Sequence, residues 1–206
     1  MFRLICCSAL IISVAACAPR HPDDDDAEIA AVSYRDPGPS SLTLYTVVNN
    51  RTGGGGHSSL MVNGPERVLF DPAGSFYADV VPEKNDVLYG ITPSVEKAYR
   101  SAHARSTYHV VSQTIEVTPE QANLAYNLVR QNGPVAGAFC ANATSSVLRQ
   151  IPGFEQIQTT YYPVKLQEQL EQIPGVKTEK YYENDDEDLQ QGLVDGNVAL
   201  NATAGG

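Results

Sequence analysis

A chain of 206 residues with 24 acidic and 14 basic side chains carries a formal charge of −10. That balance disfavours nucleic acid and bare anionic lipid as partners, because both need clustered Lys and Arg to neutralise phosphate. Apolar residues make up 42% of the chain, enough for a packed core, and the length suits one domain with terminal extensions better than two domains.

The N-terminus opens on Met1, Phe2 and Arg3 and continues through an almost wholly apolar run from Leu4 to Val14. As a helix of about 1.5 Å per residue the run covers roughly half of a ~30 Å hydrocarbon core, so it reads as a secretory signal rather than a permanent span. Val14-Ala15-Ala16-Cys17 resembles the bacterial lipobox, in which a cysteine behind small residues is diacylated and becomes the new N-terminus. The resemblance implies a signal over 1–16, lipidation at Cys17 and a membrane partner reached through that anchor, since two acyl chains hold a protein stably where one is marginal. Ala18-Pro19 lacks the aspartate that retains such lipoproteins at the inner membrane in enteric bacteria, which implies a periplasm-facing protein on the outer membrane. Cleavage before Cys17 removes 16 residues including Arg3, and takes the charge from −10 to −11.

Residues 17–41 hold Pro19, the run Asp23 to Asp26 and Asp36-Pro37-Gly38-Pro39, a composition that predicts a flexible acidic tether. The aspartate run lacks the spaced ligands and turn glycine of a calcium loop, so solvated spacer is the better reading. Strands are predicted at Leu42–Val48, Ser58–Val62, Arg67–Phe70, Val87–Ile91 and Tyr108–Val117, where β-branched and aromatic residues dominate. Thr118-Pro119 places a cap before a proline at the first helical position and opens a helix that Asn132-Gly133-Pro134 stops. Further helices are predicted at Cys140–Gln150 and Val164–Gln172, then a strand at Lys177–Tyr182. The acidic, small-residue stretch 184–206 predicts a disordered tail. The resulting domain, 42–183, is α+β: an antiparallel sheet with helices gathered on one side.

Of the four cysteines, Cys6 and Cys7 leave with the signal and Cys17 takes lipid, so Cys140 is the one remaining thiol and no intrachain disulfide can form. Cys140 stands at a predicted helix start, where unpaired N–H groups and the helix dipole favour a thiolate; the same position also suits a small buried residue packed between Phe139 and Val147. A partner base is available in His57, which follows Gly53-Gly54-Gly55-Gly56 and begins a strand. His21 falls in the tether, and His103 and His109 read as surface residues. No helical zinc pair, nucleophile elbow or phosphate loop is present.

A histidine opening a strand, a second short strand and a much later cysteine heading a helix look like a circularly permuted papain-like hydrolase, the group of bacterial cell-wall amidases and acyltransferases similar to lecithin:retinol acyltransferase. The resemblance covers His57 to Gln150 and the helix after Tyr162-Pro163. It implies a papain-like fold, Cys140 as nucleophile, His57 as base, and a third polar residue orienting the imidazole, for which Asp71 at the end of the strand Arg67–Phe70 is the candidate. Asp71-Pro72-Ala73-Gly74 is equally a routine turn. The chain departs from many members in having Phe139, not Asn, before the cysteine, and in having no second histidine on the neighbouring strand. Two readings follow: a thiol hydrolase or acyltransferase acting on peptidoglycan peptides or lipid-derived acyl groups without metal or organic cofactor, or a non-catalytic envelope lipoprotein that binds peptidoglycan or a partner protein.

Overall fold

The strand Ser41–Asn49 (β1) is buried from Leu42 to Val48 on both of its faces, and this decides the architecture. Alternate side chains on a strand point to opposite faces, so a run without a polar face must be covered twice. The computed structural model describes residues 22–204, and in it β1 is central to a seven-stranded, wholly antiparallel open sheet. The other strands are β2 (Gly55–Asn63), β3 (Arg67–Phe70), β4 (Glu83–Lys84), β5 (Val87–Leu88), β6 (Tyr108–Glu116) and β7 (Lys177–Tyr182), in the order β4-β5-β3-β2-β1-β6-β7.

Among the described residues six helices accompany the sheet: α1 (Asp26–Ala31), α2 (Pro93–His103), α3 (Pro119–Gln131), α4 (Cys140–Leu148), α5 (Pro163–Leu170) and α6 (Leu189–Ala204). Leu42, Leu44, Leu60, Val62 and Phe70 form one core with α3, α4 and α5. Tyr45, Val47, Met61 and Leu69 form a second core with α2 and α6 on the opposite face. The fold is thus α+β as the sequence predicts, but its helices lie on both sides of the sheet, not one. The difference traces to α2, whose buried Val95, Tyr99, Ala102 and His103 cover the second face.

The terminal segments also differ from the expectation. Within the predicted tether, Asp25 caps α1 through a capping box with Glu28, the Asp24 N–H donates to the Glu83 carbonyl at 2.8 Å, and Asp23 Oδ1 accepts from the Asn85 N–H at 3.0 Å. The aspartates cap a helix and pin the β4–β5 hairpin, where unpaired backbone N–H groups need acceptors. Within the predicted disordered tail, α6 buries Leu193 and Leu200, and Asn197 and Asn201 donate to the Asp79 carboxylate. The tail's few apolar residues suffice because α2 offers them a face. The signal over 1–16, Cys17 and His21 lie outside the described residues. No helix among the described residues is long and apolar enough to cross a membrane.

Candidate active site

β2 pairs with β3 only from Leu60 onward, so Gly55 to Ser59 run past the end of β3 and leave that edge open. His57 stands in this overhang, and Asp71 follows the last residue of β3. The overhang brings them together: His57 Nε2 is 2.7 Å from Asp71 Oδ1. Crowding explains the glycines that precede His57. A Cβ on Gly55 would come within 2.8 Å of Pro163 Cβ, and one on Gly56 within 3.2 Å of the Tyr108 ring.

Asp71 is 4% exposed and takes a second hydrogen bond from the Tyr99 hydroxyl at 2.7 Å. Tyr99 Oη also lies 2.8 Å from Ser59 Oγ. A phenol has one proton, which belongs on the carboxylate, so Ser59 donates to Tyr99. The His103 ring stacks on His57 with centroids 5.8 Å apart and planes 14° off parallel. His103 and His109 are both buried, contrary to the surface positions expected of them. His109 bonds Asn50 Oδ1 through Nδ1 at 2.8 Å and stacks on Tyr182, away from the His57 cluster.

Cys140 opens α4 and is 7% exposed. Its thiol interacts with the His57 ring and with the backbone N–H of Ser58. Because Nε2 of His57 is engaged by Asp71, Nδ1 is the nitrogen left for the thiol. Burial alone would push the Cys140 thiol up, but the His57 hydrogen bond and charge, with the Ser58 N–H, bring it below its ordinary value. Burial likewise works against a charged His57, yet the Asp71 carboxylate and the Cys140 sulfur outweigh it and push the imidazole up to about 10. Asp71 is held below the usual carboxylate range by His57, against its own burial. Together these shifts favour a thiolate, an imidazolium and a carboxylate in line.

The loop between α3 and α4 is tied to the Asp71 turn by one buried carboxylate. Asp86 Oδ2 accepts from the Ala73 N–H at 3.0 Å and from the Val135 N–H at 2.8 Å. Two residues before Cys140, Ala138 takes φ +69°, a conformation that costs a non-glycine residue roughly 1–3 kcal/mol and turns the chain sharply into α4. Phe139 then stands 44% exposed, edge-on to Tyr161 at 5.3 Å between centroids. The first-turn N–H groups of α4, which Cys140 opens, have no intrahelical acceptor, and no side chain caps them.

A cavity of about 320 Å³ borders His57 on the α2 side of the sheet. Among the described residues no group of three or more His, Cys, Asp or Glu is placed to hold a metal. The sequence reading missed Tyr99, His103, Ser58 and Asp86. The signal for α2, and so for Tyr99 and His103, was present: Thr92-Pro93 is the same cap-then-proline start as Thr118-Pro119, and Thr92 Oγ1 accepts from the Val95 N–H. No protein-family model matches the chain, and neither a curated protein nor a solved structure shows significant similarity to it.

Proposed function

We propose that this chain is a thiol hydrolase or acyltransferase with a circularly permuted papain-like domain, acting at the cell envelope from a lipid anchor at Cys17. The observation that carries the reading is the line of contacts from the Cys140 thiol through His57 to Asp71, with the Nε2–Oδ1 distance of 2.7 Å. The Cys140 thiolate attacks a carbonyl carbon, and the carbonyl π pair moves to the oxygen. N–H groups of the first turn of α4 supply an oxyanion site, worth a few kcal/mol per well-placed donor. The intermediate collapses, the bond to the leaving nitrogen or oxygen breaks, and His57 delivers its proton to that atom. Water or a second acceptor then gives His57 a proton as it attacks the thioester, which returns the thiolate. Asp71 holds the imidazole orientation throughout.

Peptide amides of peptidoglycan fit a protein held in the envelope. Asp23, the first hydrogen-bonded residue among those described, is six residues from Cys17, a reach of about 20 Å even when fully extended, so an anchor there keeps the domain close to its membrane. A second reading, a binding lipoprotein without catalysis, draws on Cys140 being only 7% exposed and on Phe139 in place of Asn. The pH dependence of Cys140 alkylation by iodoacetamide decides between them. An apparent pKa well below 9.0 that His57→Ala abolishes supports the thiol enzyme. An inert thiol, or one titrating as a free cysteine in both proteins, supports the binding protein.

A further inference from the structure

The cavity beside His57 is not used by the steps above. It lies between the start of β2, the C-terminal end of α2 and residues 187–189; His57 forms part of its wall and Cys140 does not. Two further wall residues are buried and polar with capacity to spare. His103 is 8% exposed, and its Nδ1 lies 2.8 Å from the Tyr99 carbonyl oxygen. A carbonyl only accepts, so Nδ1 carries the proton and Nε2 keeps a lone pair, for which no hydrogen-bond donor is found among the described residues. Burial also keeps this imidazole neutral by lowering its pKa.

Arg105 is 5% exposed and spends one donor, Nε, on the Asp186 carbonyl at 2.6 Å. Its Nη1 stands 3.7 Å from the Asp185 carboxylate, too far for a hydrogen bond, so most of the five guanidinium donors have no acceptor among the described residues. The Asp185 carboxylate beside it shows the charge that this guanidinium favours. Other titratable groups around His57 are Asp71, which also bonds Tyr99, Cys140 at α4, and Tyr108 and Glu187 in the cavity wall.

General acid chemistry decides which part of a substrate belongs here. The proton leaves from His57, so the departing group lies on the His57 side of the thiol. At ~30 Å³ per water, a cavity of about 320 Å³ has room for roughly ten waters, a space on the scale of one or two amino-acid residues. We propose that this cavity is the leaving-group subsite and takes an amino acid or short peptide, its amine towards His57 and His103 Nε2 and its free carboxylate towards Arg105. The inference rests on the thiol hydrolase or acyltransferase reading and deepens it: the scissile bond is a peptide amide, not a lipid ester.

By microscopic reversibility the leaving-group subsite is also the acceptor subsite, which allows a test without the natural substrate. p-Nitrophenyl acetate transfers its acetyl group to the Cys140 sulfur; the ester C–O bond breaks and p-nitrophenol departs with the His57 proton. An added amine then attacks the thioester carbonyl, the C–S bond breaks, the amine proton passes to His57 and the thiolate returns. Glycylglycine and glycinamide have amines of similar basicity and differ in the carboxylate. The expected result is saturable acceleration of deacetylation by glycylglycine, at least about tenfold more effective than glycinamide, as one charged hydrogen bond provides. In Arg105→Met the difference between the two amines is expected to vanish. Equal, non-saturating rates with both amines in the unaltered protein overturn the subsite, whatever the fate of the variant. Failure of p-nitrophenyl acetate to acetylate Cys140 at all overturns the thiol reading itself.

Discussion

Gly74→Ala tests the site without touching a reacting group. A Cβ at position 74 would sit 1.8 Å from Asp71 Oδ2 and 2.2 Å from its Cγ. Heavy atoms in ordinary contact stand near 3.5 Å, so the carboxylate must retreat by about 1.5 Å. A flexible surface side chain would yield at little cost, but Asp71 is 4% exposed and held by His57 and Tyr99 at 2.7 Å each. Both contacts break, at about 1.5–3 kcal/mol for each hydrogen bond to a charge, for a total loss of about 3–6 kcal/mol, close to the range of about 3–5 kcal/mol for breaking a buried ion pair.

The chemical consequence is separable from the stability loss. Without Asp71 beside it, His57 falls from about 10 towards 6.5, and Cys140, which is lowered by a charged His57, climbs back towards 9.0. At pH 7 a thiol of that pKa is about 1% ionised. Urea unfolding and iodoacetamide alkylation from pH 5 to 9 measure the two effects on one sample. A Gly74→Ala protein with an unchanged urea midpoint and an unchanged alkylation profile would refute the placement of Asp71.

Asp71→Asn is expected to remove the pH dependence that the ion pair confers. His57 is raised above its ordinary 6.5 to about 10, so its contribution is fully present below pH 6.5 and is lost as pH rises through about 10. Because the Cys140 thiol is lowered in the folded protein and contributes with the opposite sign as pH rises, the comparison is made in a Cys140→Ala background. There stability should fall as pH rises above 6.5 with Asp71 present and stay nearly flat with Asn in its place; parallel curves in urea titrations from pH 6 to 10.5 would contradict the pairing. Leu193→Ala is expected to cost about 2–3 kcal/mol, because Leu193 is buried in the core that α2 and α6 share. A melting temperature identical to that of the parent would mean that α6 does not belong to the folded domain.

The elements that the sequence makes legible are those whose signal is local. The strands at 42–48, 67–70, 108–117 and 177–182 are found within a residue or so at each end, since β-branched runs bounded by turn residues need no partner to be recognised. α3 is announced by its Thr118 and Gln121 capping box, and α4 by its position after a Gly-Pro loop. Residues 184–204 were illegible for the opposite reason. Their apolar residues are too sparse to predict a helix alone, and only the face of α2 makes Leu193 and Leu200 worth burying.

The same division runs through the site. Residue type and order alone single out Cys140, His57 and Asp71, because a lone thiol, a strand-opening imidazole and a strand-ending carboxylate are each recognisable where they stand. Their partners are another matter. Tyr99 reaches Asp71 across 28 positions and Asp86 reaches Val135 across 49, and hydrogen bonds of that separation leave no pattern in the chain. They exist because the sheet is covered on both faces, with α4 delivering the thiol from one side and α2 the tyrosine and second histidine from the other. Local chemistry was written in the sequence; which face each helix covers was decided by the packing of the two cores, and only that choice brings these groups to one end of β2.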